Sequence, residues 1–286
     1  MARRLKLLTG LSTLALGGAL ALSGCAGAEG EGAEGVGAEG AKTAHHGEAE
    51  GEGGESEGEG AAAPAASGGE SEGAALVDVA KDKSAYLSAL QIIRGHLKAG
   101  VELYSAGDRA LGPQHLRHPQ AEILTTLSPA FAAYGAENIE PVIDRLADAG
   151  DAGASPAEIG ALEEAVVKAV GAAGAAAQAN VKEKLLAVSK TLTVAGDEYA
   201  IAVDDDGTIV NLHEYHDAYG FIATAIEDLQ ATAGKSDAEK TAIAAALEQA
   251  RIAATTAPGI TPPAELKPAS TIYGAAARIE IAAHAL

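Results

Sequence analysis

The stretch NLHEYHDAYGF, Asn211 to Phe221, gathers histidines, acids and tyrosines in a chain that is otherwise mostly alanine, glycine and leucine. His213 and Asp217 stand four residues apart, a spacing that stacks two side chains on one helix face. Imidazole and carboxylate together suit a borderline divalent cation. The apolar phase argues against using that pair: Leu212, Tyr215, Tyr219, Ile222 and Ile226 mark an inward face, which turns His213 and Asp217 toward solvent. Glu214 then shares a side with Ala218 and Phe221, and His216 sits on the other shoulder, so these two are the candidate ligands of the segment. Glu214 has a second explanation, as the N3 acid of a helix capped by Asn211.

Two further groups offer the same chemistry. In QHLRHPQAE, spacings of three and four align His115, His118 and Glu122 on one stripe. Pro119 disfavours helical backbone at His118, so a break or cap is expected there. The stripe also faces away from Ile123 and Leu127, which leaves a solvated or capping role open beside a ligand role. His96 lies close in angle to Ile92, Ala99 and Leu103 and points inward, where it reads as a core residue or a ligand; Glu102 projects from the opposite, solvated side.

The metal-ligand candidates are therefore His96, His118, Glu122, Glu214 and His216. Imidazole and carboxylate suit iron, copper or zinc, and with no thiolate on offer in the mature chain these residues do not choose among the three. Asp204-Asp205-Asp206-Gly207 has the glycine of an EF-hand loop, but Ala202 and His213 stand at its first and last ligand positions, so it reads as an acidic turn. There is no Gly-x-Ser-x-Gly, His-Glu-x-x-His, phosphate loop or dinucleotide fingerprint, and no enzyme activity is expected.

These residues need elements to hold them. The chain is rich in alanine, the strongest helix former, and has no tryptophan. Ser128-Pro129 and Ser155-Pro156 each read as an N-cap followed by proline at the first helical position, and Ser236 with Glu239 forms a capping-box pattern. Helices are expected at roughly 78–106, 109–126, 129–148, 156–172, 175–203, 212–233, 236–255 and 268–285. Residues 76–286 are thus expected to be an all-α, antiparallel, Ala-rich helical bundle, preceded by a disordered acidic tether.

Residues 1–24 set Arg3, Arg4 and Lys6 before an apolar run from Leu7 to Leu22, the form of a secretory signal peptide. Leu22-Ser23-Gly24-Cys25 resembles the lipobox of bacterial lipoproteins, which implies cleavage before Cys25 and lipidation of that residue. Cys25 is the one cysteine, so a lipidated chain has no disulfide and no cysteine nucleophile. From 25 to 75 the Gly-Glu repeats lack the apolar surface needed to fold and read as a leash with a reach of roughly 35 to 45 Å. The formal net charge of −20 excludes nucleic acid and anionic lipid surfaces as partners and favours cations or basic proteins.

Glu198 to Ala225, EYAIAVDDDGTIVNLHEYHDAYGFIATA, resembles the extracytoplasmic helical segment of bacterial oxidase-dependent iron permeases. The matching positions are Tyr199, Ala202, Val203, Gly207, Asn211, Glu214, Tyr215, Ala218 and Phe221. The chain lacks the REXXE motifs and membrane helices of those permeases, so the resemblance implies an extracytoplasmic module of a metal-uptake system, with a metal ion, iron first, and an iron permease or another envelope protein as partners. The bundle is also loosely similar to imelysin-like periplasmic iron-uptake proteins, although Leu97, Lys98 and Ala99 follow Gly95-His96 where their GxHxxE signature requires a glutamate. The function expected is that of a lipid-anchored metal-binding protein of the cell envelope, facing the periplasm from the outer membrane where two membranes exist. The alternative is a structural or adaptor lipoprotein whose bundle binds a protein without metal.

Overall fold

A computed structural model of the chain describes residues 78–286, all within one compact unit. The signal peptide, Cys25 and the Gly-Glu leash lie outside the described residues.

Among the described residues the fold is all-α, as expected, with one isolated bridge between Val203 and Ile209 as its only extended pairing. The helices are α1 (Lys83–Ser105), α2 (Leu111–Glu122), α3 (Leu124–Tyr134), α4 (Glu140–Asp151), α5 (Pro156–Ala176), α6 (Val181–Ala202), α7 (Leu212–Ala231), α8 (Asp237–Ala253) and α9 (Ser270–His284). Among these helices none is long and apolar enough to cross a membrane.

Local chemistry starts three of them, α5, α7 and α8, where the sequence indicates. Ser155 accepts the Glu158 amide at the head of α5, and Ser236 and Glu239 form a reciprocal capping box on α8. Asn180 and Glu183 do the same for α6, where the helix was expected to begin several residues earlier. Asp82 accepts the amides of Ser84 and Ala85 and opens α1 at Lys83, later than the expected start near 78.

The region between 109 and 151 departs from expectation. Three helices occupy the space of the two expected ones. Gly135 takes a left-handed conformation (φ 68°) that closes α3, with the Ala136 amide returning to the Phe131 carbonyl. Ser128-Pro129 is not a helix start, since Pro129 sits inside α3. Nor does Pro119 break the chain at His118. It lies in the last turn of α2, which ends three residues later, so only the amide bond of one turn is forfeited.

Helix α1 is the axis of the molecule, packed by α2, α5, α6 and α7. Two contacts bring it unusually near its neighbours. At Gly95 and Gly220, α1 and α7 touch backbone to backbone. A Cβ on Gly220 would run into the Gly95 carbonyl, and one on Gly95 would stand 2.9 Å from the Phe221 nitrogen. At Gly100 and Gly112, α1 meets α2, and a Cβ on Gly112 would stand 2.9 Å from the Tyr104 nitrogen. His96 lies between these two crossings, one residue from the first.

Candidate metal centre

The crossings aim polar side chains at one point. Gly95 and Gly220 bring His96 on α1 against Asp217, one helical turn before Gly220 on α7. Gly100 leaves room for α2, and a Cβ there would meet the His115 Cβ at 3.1 Å. Asp217 is the centre of the result and is 1% exposed. Its Oδ1 receives His96 Nδ1 at 2.7 Å and His115 Nδ1 at 2.9 Å. Its Oδ2 lies 3.6 Å from both His118 Nδ1 and His213 Nε2. His213 Nε2 is itself 3.3 Å from His118 Nδ1. Glu122 borders the group, with Oε2 at 3.5 Å from His96 Nε2 and Oε1 at 3.6 Å from His118 Nδ1.

The rings interlock. His115 stacks on His213 with centroids 3.9 Å apart and planes 17° from parallel, and His216 meets His115 edge-on at 5.5 Å. Phe221 closes one side of His96 edge-on at 4.7 Å. His96, His115 and Asp217 are deep, whereas His118, His213 and Glu122 keep partial solvent access and form the mouth.

Burial and mutual attraction set the charges. Burial alone would raise the Asp217 carboxyl, but the attraction of His96 and His115 and the hydrogen bonds of His115 and His118 outweigh it and hold the group well below the usual range. Asp217 is therefore an anion, and the protons it shares with His96 and His115 sit on their Nδ1 atoms. Burial, reinforced by repulsion from His115, lowers His213 to about 3 and His216 to about 4, so both are neutral imidazoles at pH 7. Burial raises Glu122, offset in part by His96 and His118 and assisted by the negative charges of Asp217 and Glu214.

His96, His115, His118 and Asp217 each offer a ligand atom within 4.8 Å of the others, a set that could hold a metal ion. His115 Nε2 and His216 Nδ1 are buried and have no hydrogen-bond partner among the described residues. Buried polar atoms are normally satisfied, and a ring nitrogen with a spare lone pair is what a cation needs.

The expected ligands are distributed unevenly around this centre. His96 and His118 are in it, Glu122 borders it, and His216 stands behind His115. Glu214 instead accepts the Asn211 side-chain amide at 3.3 Å, while the Asn211 oxygen caps the His213 amide at 3.1 Å. This is a capping role, although a looser one than a reciprocal box. The orientation of α7 requires correction: His213 and Asp217 face inward. Leu212, taken as inward, is 40% exposed. Helix α7 is covered by α6 on one side and by α1 on another, so no single apolar stripe defines its buried face. His115 is likewise fully buried rather than solvated, because Ile123 and Leu127 are outside α2 and cannot fix its phase. Glu102 is half-buried and accepts the Tyr219 hydroxyl at 2.8 Å.

The acidic turn between α6 and α7 is built as a turn. Asp204 Oδ1 accepts the amides of Asp206 and Thr208, and Gly207 takes a left-handed conformation.

Comparison with known proteins adds one finding. No curated protein and no solved structure matches the chain. Residues 174–286, which contain α6 to α9, match the family described as the iron permease-associated 4-helix bundle domain. That span includes the resembling segment 198–225, with His213, His216 and Asp217, whereas His96, His115, His118 and Glu122 come from helices that precede it. The C-terminal four helices are thus similar to an iron permease-associated domain, and α1 and α2 complete the centre from outside it.

Proposed function

We propose that the protein is a lipid-anchored, extracytoplasmic carrier of a divalent transition metal, iron first, in a metal-uptake system. The observation that carries the reading is the buried convergence of His96, His115, His118 and Asp217, whose ligand atoms lie within 4.8 Å of one another. Neutral imidazole with carboxylate suits Fe(II), Cu(II) or Zn(II), and the iron permease-associated match of α6 to α9 favours iron. The mouth at His118, His213 and Glu122 gives an ion a route in and out, as cargo requires. The lipid anchor rests on the lipobox resemblance ending at Cys25, and the periplasm-facing address rests on that anchor.

The test is calorimetric titration of the full chain with Fe(II) under anaerobic conditions, and with Cu(II) and Zn(II), beside the His118→Ala chain. Subtracting the variant removes diffuse binding by the Gly-Glu leash. A one-to-one event at micromolar affinity or tighter that the variant lacks supports the carrier; identical isotherms reject it. For the anchor, Cys25→Ser should move the protein from the membrane fraction to the soluble one.

A second reading, an adaptor that docks on another envelope protein, draws on the exposed Ile201, Val210 and Leu212 beside the α6–α7 turn. Val210→Asp with Leu212→Asp would abolish co-purification with an iron permease under that reading and leave it intact otherwise.

A further inference from the structure

The stacking of His115 on His213 restricts which of them can touch an ion. An imidazole ligates through a lone pair in the plane of its ring. With the two rings 3.9 Å apart and 17° from parallel, an ion in the plane of one lies ångströms above the plane of the other. An ion in the plane of His213 is thus poorly placed for His115, whereas the His118 and His213 rings, 4.2 Å apart and tilted by 36°, bring their nitrogens within 3.3 Å of each other.

The spacings decide between them. A four-coordinate ion with nitrogen and oxygen ligands at about 2.0–2.1 Å keeps those ligands about 3.3–3.4 Å apart. His213 Nε2, His118 Nδ1 and Asp217 Oδ2 form a triangle with sides of 3.3, 3.6 and 3.6 Å, close to one face of that tetrahedron. Glu122 Oε1 borders this face, 3.6 Å from His118 Nδ1. His115 Nδ1 and His96 Nδ1 instead stand at hydrogen-bond distance from Asp217 Oδ1, on the other oxygen of the same carboxylate. Charge agrees, since the two carboxylates of Asp217 and Glu122 neutralise one divalent ion, and His118, His213 and Glu122 lie at the mouth above the buried Asp217.

We infer that the ion is held by His118, His213, Asp217 Oδ2 and Glu122, and that His96 and His115 are positioning residues whose Nδ1–H groups hold the Asp217 carboxylate in place. This rests on the metal-carrier reading and redistributes its ligands: His213 and Glu122 enter, and His96 and His115 leave. Carboxylates hydrogen-bonded in this way are common behind metal ligands, and losing such support typically costs 10- to 100-fold in affinity.

The test uses Zn(II) affinity of the full chain, measured by competition with a chelating dye and corrected for the His118→Ala background. Asparagine can place an N–H where His115 Nδ1 stands, so His115→Asn should keep affinity within about threefold while His115→Leu loses about tenfold or more. His213→Gln should lose about 30-fold or more, with His213→Ala as a second variant, and circular dichroism should show native helix content in each. Retained affinity in His213→Gln and His213→Ala, or a loss in His115→Asn as large as in His115→Leu, overturns the assignment. A wild-type chain with no binding above background instead rejects the carrier reading itself.

Discussion

Helix α1 carries two buried polar clusters, and they are built on different terms. Toward its N-terminus Ser88 meets Thr191 at 3.0 Å, and the Thr191 hydroxyl donates to Gln91 Oε1 at 2.6 Å. Among the described residues, none of these side chains has a buried polar atom left without a partner. Further along, His96 and His115 enclose an anion, and the cluster retains ring nitrogens on His115 and His216 that nothing satisfies. The first cluster is neutral and closed, as a device for fixing the α1–α6 contact should be. The second is charged, and at its mouth His118 Nδ1, His213 Nε2 and Asp217 Oδ2 lie within 3.6 Å of one another, close enough to share an ion. Burial of polar groups does not by itself mark a site; donor atoms converging where an ion can reach them do.

The two clusters should differ most in their response to substitution at Asp217. Asp217→Leu should remove metal binding by 100-fold or more and shift the metal-free chain by roughly 3 to 5 kcal/mol toward unfolding, read from urea denaturation, because two buried N–H donors lose their acceptor. Thr191→Val in the closed cluster should cost only about 1 to 2 kcal/mol and leave metal affinity unchanged. Equal effects on metal affinity would erase the distinction.

Gly220→Ala tests whether the close approach of α1 and α7 positions the site. Its methyl group meets the Gly95 carbonyl, so a loss of about 1 to 3 kcal/mol is expected in the same denaturation, with a parallel loss of metal affinity. An equal loss of stability with full affinity would mean that the His96 and Asp217 helices need not be so close.

Acid should separate the clusters next. His213 and His216 fall from an unfolded value near 6.5 to about 3 and about 4, so the stability they contribute is present above pH 6.5 and is lost as pH falls through those folded values. Asp217 is also depressed, from 3.8, and its contribution disappears in the same direction at lower pH. The metal-free chain should therefore weaken steadily from pH 6.5 toward 4. His213→Gln should flatten that decline, and Thr191→Val should run parallel to wild type. A flat profile in the wild-type chain would contradict the buried neutral histidines.

The smallest effect belongs to Glu214. Glu214→Gln should alter stability by less than about 1 kcal/mol and metal affinity by less than threefold, since its carboxylate serves the Asn211 cap. A tenfold loss of affinity would make it a ligand after all.

The closed framework was largely legible in the residues, and the open cluster was legible only in its parts. Alanine content and the caps at Ser155, Asn211 and Ser236 located most helices. Gly135 was not recognised as the left-handed end of α3, so two helices were expected where three are built. The ligand-like spacings of His115, His118 and Glu122 and of His213 and Asp217 were visible, yet their facing was misjudged. A hydrophobic stripe gives a direction only for a helix buried on one side, and α7 is buried on two. The better signal lay in Gly95, Gly100, Gly112 and Gly220, whose missing side chains mark where backbones touch and therefore which way the neighbouring polar residues point.

The most direct test of the central claim is anomalous diffraction from crystals of the full chain grown with one equivalent of Zn(II), recorded on both sides of the metal's absorption edge. One strong peak is expected about 2.0 to 2.2 Å from His118 Nδ1 and Asp217 Oδ2. A peak confined to the acidic turn at Asp204 to Asp206, or none at all, would contradict it.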